Sequence, residues 1–149
     1  SAILNLIGPY ETILDETKIR RYVTNDSIQI CGAKYDEDKI HAYKDNDIFI
    51  MPSYNENLPL VILEAACAGM PIITTPVGAL PEFFTHLENI YFVQPGNKAE
   101  LTAAIKYLLN NQNERQRLGE NARRLFRDQL SRTKIIDQLS SIYNAQLYV

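Results

Sequence analysis

The sequence predicts an α/β fold, a mostly parallel sheet covered by helices on both faces and finished by a helical C-terminal end. Three observations predict it. Short apolar runs alternate with helical stretches as far as residue 93, the order that parallel strands with crossover helices produce. Each early run closes on a turn signal: Gly8-Pro9, Gly32-Ala33, Pro52-Ser53, Thr75-Pro76. Beyond residue 97 only the helical period remains. A chain of 149 residues with 46% apolar and 22% charged content is long enough for one domain with a sizeable core.

The elements follow in order. Residues 2–7 (Ala-Ile-Leu-Asn-Leu-Ile) read as a strand closed by Gly8-Pro9. A polar helix is expected from about Thr12 to Val23, with Ile19, Tyr22 and Val23 inward. Residues 27–31 form the next strand, 36–44 a short helix carrying Ile40 and Tyr43, and 47–51 a third strand. The following helix is punctuated at both ends. Pro59 suits a first turn, Gly69 suits the position just past the last turn, and Pro71 forbids continuation. Leu60, Val61, Ile62, Leu63, Ala65, Ala66, Cys67 and Ala68 leave almost no polar face, so this helix is expected to be buried on most sides. Residues 71–75 and 89–93 give the fourth and fifth strands. Asn97 and Glu100 make a capping-box pattern for a helix with the stripe Leu101, Ile105, Leu108 and Leu109. Leu118, Ala122, Leu125 and Phe126 mark the next helix. A last one opens at Ser131 with Ile135, Ile136, Leu139, Ile142, Tyr143 and Leu147.

Composition narrows the function classes. The net charge of −3, without a long run of one sign, argues against nucleic acid as a partner. Lys and Arg thicken between Arg115 and Lys134, but acids and apolar residues interrupt them, as on a solvated helix face. Cys31 and Cys67 have no metal-ligand spacing to His41 or His86. Each thiol sits in an apolar context and reads as a reduced core residue, which suggests a cytoplasmic address. No signal peptide is visible, and no apolar run is long enough to span a bilayer.

The chemistry concentrates in residues 52–65, Pro-Ser-Tyr-Asn-Glu-Asn-Leu-Pro-Leu-Val-Ile-Leu-Glu-Ala. Glu56 stands in a polar loop and Glu64 inside an apolar helix, where a carboxylate is costly to desolvate unless something binds it. Parallel sheets bind ligands at the carboxyl ends of their strands, and both acids fall at that edge. The helix N-terminus offers free N–H groups and partial positive charge, which suit a phosphate. Pro59 has no N–H, so the donors are Asn57, Leu58 and Leu60. Glu64 lies about two turns in, roughly 8–9 Å along the axis, where a carboxylate can accept both hydroxyls of a ribose. Glu56 is placed for hydroxyls of a sugar beyond the phosphates. The set fits a nucleotide-diphosphate sugar. Other readings stay open at this level: Glu64 as an acid paired with a structural Arg or a backbone N–H, Glu56 as a solvated loop residue, Ser53 as an ordinary turn residue. Asp45-Asn-Asp47 has the D-x-D form of a metal motif but precedes a strand, and we read it as structural.

Glu56 and Glu64 resemble the E-x7-E signature of the retaining glycosyltransferases of family 4 (group 1), which have the GT-B fold. The flanking residues resemble the same family: 47–53 before the pair, 69–78 after it (Gly-Met-Pro-Ile-Ile-Thr-Thr-Pro-Val-Gly), then Pro81-Glu82, and upstream Leu4–Pro9 and Ile30–Gly32. The resemblance covers nearly the whole chain in the family's order. It implies that residues 1–149 are the carboxy-terminal, Rossmann-like half of a GT-B fold, the half that binds the donor. Glu64 would hold the ribose, and Glu56, the candidate catalytic residue, would contact the donor sugar. N–H groups near Asn57 and Leu58 would meet the diphosphate, Ser53 would line the site, and the loop Gly32-Ala33-Lys34 would flank the base. Thr75 to Ala79 would shape the floor.

The reaction implied is transfer of a sugar from a UDP- or GDP-linked donor to an acceptor hydroxyl with retention, by same-face displacement and without a metal or other cofactor. Polysaccharide, lipopolysaccharide or glycolipid synthesis would be its setting, in the cytoplasm or peripherally at the inner membrane face. The acceptor, a glycan or glycolipid, would bind an amino-terminal domain outside this sequence. So would lie the opening strand of this domain, with the family's Arg and Lys on the diphosphate, since no residue here matches them. The fragment alone is then expected to be inactive. Its sheet is expected to be altered or completed by another chain, with self-association through the exposed sheet or the last helix, whose Tyr143, Leu147 and Tyr148 would be exposed. The alternative function is a non-catalytic nucleotide-sugar binding module on the same fold. A receiver-like regulatory domain would need an acidic pocket at the first strand end, which Gly8-Pro9 does not supply.

Overall fold

The structure, a computed structural model, describes residues 2–9, 13–23 and 26–146. The chain divides into two compact units, Ser1–Ala42 and Tyr43–Val149. In the first, β1 (Leu4–Ile7) and β2 (Ile28–Gly32) pair in parallel, Leu4 opposite Ile28, with an irregularity between Leu6 and Ile7. α1 (Ile13–Arg20) connects them. It is shorter than the helix expected, and Thr12, where that helix was expected to open, lies outside the described residues. α2 (Asp36–Lys44) follows with three acids in its first turn, where they favour the positive end of the helix dipole.

The second unit carries a parallel sheet of β3 (Phe49–Met51), β4 (Ile72–Thr74) and β5 (Tyr91–Phe92), in that order. α3 (Leu60–Ala68) crosses from β3 to β4. It ends at Gly69, whose left-handed φ of 78° lets its N–H and that of Met70 return to carbonyls of the last turn. α4 (Leu80–Phe83) is a single turn before β5. α5 (Lys98–Asn110) opens on the expected box. The Asn97 side chain accepts from the Glu100 N–H at 3.1 Å, while the Glu100 carboxylate takes the Asn97 amide and the Gln94 N–H, each at 2.7 Å. α6 (Gln112–Leu125), a π-helical turn (Phe126–Leu130) and α7 (Arg132–Gln146) complete the chain.

The alternation of β4 splits the core into two layers. Ile72 joins Ile62, Ala65 and Ala66 of α3 with Leu80, Ile90 and Ala122, whereas Ile73 joins Ala104 and Leu108 of α5 with Val93 and Leu118. Helices therefore cover both faces of this sheet, as predicted. All of these side chains are essentially removed from water, the Ile, Leu and Val members each contributing roughly 1.5–3 kcal/mol by apolar area and the alanines less.

Several expectations are corrected. Among the described residues the five strands form a two-stranded sheet in the first unit and a three-stranded sheet in the second, rather than the single sheet expected. α3 is not buried on most sides. Leu60 is 71% exposed, and Val61 and Cys67 also face water, because only the face carrying Ile62, Ala65 and Ala66 meets the core. Cys67 is thus no core thiol, and Cys31 is half-buried, 3.9 Å from the Asn5 amide oxygen. Tyr22 is 76% exposed rather than inward, because α1 has ended and the chain turns there. Pro59 stands one residue before the first helical residue, in extended backbone. The π-helical turn had no periodic signature, since Leu125 and Phe126 fit a continuing α-helix. Along α7, Ile135, Ile136, Leu139, Ile142 and Tyr143 are exposed, whereas Leu147 and Tyr148 lie outside the described residues. Among the described residues no helix is long and apolar enough to cross a membrane.

Candidate functional site

β3 delivers the chain to the carboxyl edge of its sheet, and Ser53 turns there, its N–H returning to the Met51 carbonyl at 3.1 Å. Two buried threonines of β4's end brace this turn. The Thr74 hydroxyl donates to the Met51 carbonyl at 2.7 Å and that of Thr75 to the Ser53 carbonyl at 2.5 Å. The Thr75 side chain is fully buried and its hydroxyl is engaged, so it braces the turn from beneath. From the fixed turn, the Ser53 hydroxyl donates to Glu56 Oε1 at 3.2 Å. A loop carboxylate that a solvated reading would leave free to rotate is thus tied to the strand end.

The loop after β4 closes on Glu56 from the other side. The Ala79 N–H donates to the Asn57 carbonyl at 2.8 Å. Gly78, at φ 58°, lies so close that a methyl group on it would overlap the carbonyl oxygens of Glu56 and Asn57. Glycine is required there twice, for the left-handed backbone and for the approach. The spacing of Gly78 to Pro76 signals a turn; the contact with residues about 20 positions upstream does not show in the sequence.

α3 begins directly after this loop. No side chain caps it, so its first N–H groups, Leu60 and Val61, have no intrahelical acceptor and no capping oxygen. Val61 belongs with Asn57, Leu58 and Leu60 as a candidate backbone donor, a residue missed because the helix begins one position later than expected. Asn57 and Leu60 are exposed and Leu58 half-buried. Glu64 lies four residues after Leu60, about one turn and roughly 6 Å along the axis rather than the two turns expected, because α3 begins later. Its carboxylate is half-buried, and Oε2 accepts a 2.8 Å hydrogen bond from the Tyr43 phenol. Burial first, and then the bond and the charge of Glu64, push the Tyr43 phenol well above its ordinary value, so it remains a protonated donor. Tyr43 was expected only as an apolar-stripe residue carried on α2, with no part in the site. The signal that pointed to it was the desolvation cost of Glu64, which demands a donor.

The second unit therefore gathers Ser53, Glu56, Asn57, Leu58, Leu60, Glu64 and Thr75 around one strand end and one helix start. Gly32, Ala33 and Lys34 end β2 in the first unit, where Gly32 has a left-handed φ of 66° and its carbonyl accepts from the Gly8 N–H at 3.0 Å. Asp45 and Asp47 precede β3, at the strand end opposite Ser53. Among the described residues no cluster of three or more His, Cys, Asp or Glu is placed to hold a metal ion.

The chain is similar to known proteins. The sequence profile of the family described as Glycosyl transferases group 1 matches residues 6–125. The chain is 27% identical over 146 residues to CapM of Staphylococcus aureus, a capsular polysaccharide biosynthesis glycosyltransferase, covering 97% of this chain and 38% of CapM. It is 30% identical over 137 residues to the MMP alpha-(1->4)-mannosyltransferase of Mycolicibacterium hassiacum, covering 91% and 32%. The crystal structure of HepE from Anabaena in complex with UDP superposes with a TM-score of 0.87 at 18% identity, over 97% of this chain and 41% of HepE, a likeness of fold. Sucrose-phosphate synthase from Thermosynechococcus elongatus gives 0.82 at 25% identity, over 97% and 38%. The α/β fold matches that of GT-B glycosyltransferases. The chain spans well under half the length of these relatives. With the profile matched over most of its length, it belongs to the group 1 glycosyl transferases.

Proposed function

We propose that residues 1–149 are the donor-binding half of a retaining glycosyltransferase that transfers a sugar from a UDP- or GDP-linked donor to an acceptor hydroxyl. The observation that carries this reading is the pair Glu56 and Glu64 flanking an uncapped helix start, each carboxylate already held by a protein hydroxyl. Donors at the start of α3 meet the diphosphate, where the helix dipole adds to their attraction. Glu64 accepts the ribose hydroxyls. Glu56, braced by Ser53 and by the Gly78 loop, holds the donor sugar and stabilises positive charge at its anomeric carbon. That is a positioning and electrostatic role compatible with same-face displacement. Gly32, Ala33 and Lys34 flank the base. No metal enters this scheme, and nucleic acid is not a partner.

Similarity to CapM supports polysaccharide synthesis as the setting; lipopolysaccharide or glycolipid synthesis, and a place in the cytoplasm or peripherally at the inner membrane face, belong to the same proposal. HepE has been crystallised with UDP and with UDP-glucose, which supports a nucleotide sugar as ligand. Transfer requires a second domain that binds the acceptor glycan or glycolipid, so the chain alone is inactive in this reading. The exposed apolar stripe of α7 is the surface assigned to that domain or, without it, to self-association.

Calorimetric titration of the chain with UDP, GDP and ADP, beside Glu64→Ala, tests the reading. Saturable binding of one nucleotide, weakened at least tenfold in the variant, is expected and names the base. Absence of binding both here and after addition of an upstream segment with the family's Arg and Lys overturns it.

A further inference from the structure

Tyr43 and Glu64 are 21 residues apart, on different helices, yet the phenol lies 2.8 Å from Glu64 Oε2. The ring is itself held. It packs against Phe49 of β3 with centroids 5.9 Å apart at 36°, beside the core layer of α3. The Val61 carbonyl is 3.5 Å from the same hydroxyl, too long to compete for the proton, so the bond is directed at the carboxylate. Val61 and Glu64 are three residues apart, on one face of α3, and the phenol sits along that face.

Resting on the donor-site reading above, we propose that Tyr43 is the positioning residue for Glu64: its phenol pins one carboxylate oxygen and holds the rotamer in which the carboxylate accepts ribose hydroxyls. A carboxylate accepts several hydrogen bonds, so a phenol on Oε2 is compatible with further donors. A phenol is also a neutral donor. It orients the carboxylate without cancelling the charge that makes it a strong acceptor for hydroxyls. A carboxylate free to rotate would have to be ordered by the ligand, at an entropic cost taken from the binding energy.

The test compares Tyr43→Phe with the parent chain, titrating UDP and GDP beside their 2′,3′-dideoxy counterparts, in parent and Glu64→Ala backgrounds. Phenylalanine keeps the ring against Phe49 and removes only the donor. Expected is about tenfold weaker binding of the ribonucleotide, about 1.4 kcal/mol, with the dideoxy nucleotide unchanged and no further loss in the Glu64→Ala background. Equal loss for both nucleotides, loss of the same size when Glu64 is already absent, or an earlier melting transition with unaltered ribose preference overturns the proposal. Binding of neither nucleotide by the parent, both alone and with the upstream Arg/Lys segment added, or a ribose preference that survives Glu64→Ala, overturns the donor-site reading and this proposal with it. A preference that needs Glu64 but ignores Tyr43 overturns this proposal alone.

Discussion

Gly78 and Gly119 use the same device in two regions. At the strand edge, Gly78 sits against the carbonyls of Glu56 and Asn57. In the core, Gly119 of α6 sits against the Gly69 carbonyl at the end of α3, where a methyl group would likewise overlap backbone. The surroundings differ. Gly119 is buried and helical, adjacent to Leu118 in the core, so anything added there must push two helices apart. Gly78 is exposed, in a loop at φ 58°, so the loop itself can yield, but what yields carries Glu56. One close approach holds the fold together; the other fixes the position of Glu56, the carboxylate we propose holds the donor sugar.

The largest effect expected is on stability at the core contact. Gly119→Ala is expected to cost about 3 kcal/mol, through overpacking that no side chain can relieve. Denaturant unfolding measures it, and nucleotide affinity of the folded fraction should stay within about twofold. Gly78→Ala should reverse the pattern. It should lose about 1–2 kcal/mol of stability from left-handed strain, while nucleotide binding measured by calorimetry falls by more than tenfold. If both variants lose stability and affinity in the same proportion, the distinction between the two regions fails.

The smallest effect concerns the exposed pair Glu114 and Arg117, 2.7 Å apart, on the same helix as Gly119. The hydrogen bond from Arg117 holds the Glu114 carboxyl below its ordinary value of 4.5. Its contribution is therefore present above pH 4.5 and is lost as pH falls through the lowered value. Such an exposed pair is screened by salt and weak. Arg117→Met should lower the melting temperature slightly at neutral pH and by less once the carboxyl is protonated, so that the acid limb of a melting profile flattens. The substitution also removes the bond to the Leu87 carbonyl, a pH-independent loss that separates from the first by its flat profile.

The parts of this molecule legible in the sequence are those set by short spacing. The end of α3 was readable from Gly69 and Pro71 and its start to within one residue from Pro59, the α5 cap from Asn97 and Glu100, and the candidate site from two acids eight positions apart. The amphipathic stripe of α7 was readable as a pattern, but its exposure was not, because a stripe marks what a helix can bury and not what covers it.

Sequence alone determined the order of strands and helices, and with it the edge where ligands are expected, because turn residues and hydrophobic periods act over a few residues. Only the tertiary structure decided which groups meet. Tyr43 finds Glu64 across 21 residues, Gly78 touches Glu56 and Asn57, Thr75 braces Ser53, and the strands divide into two sheets. Each depends on how separate elements pack in space, which no local spacing encodes.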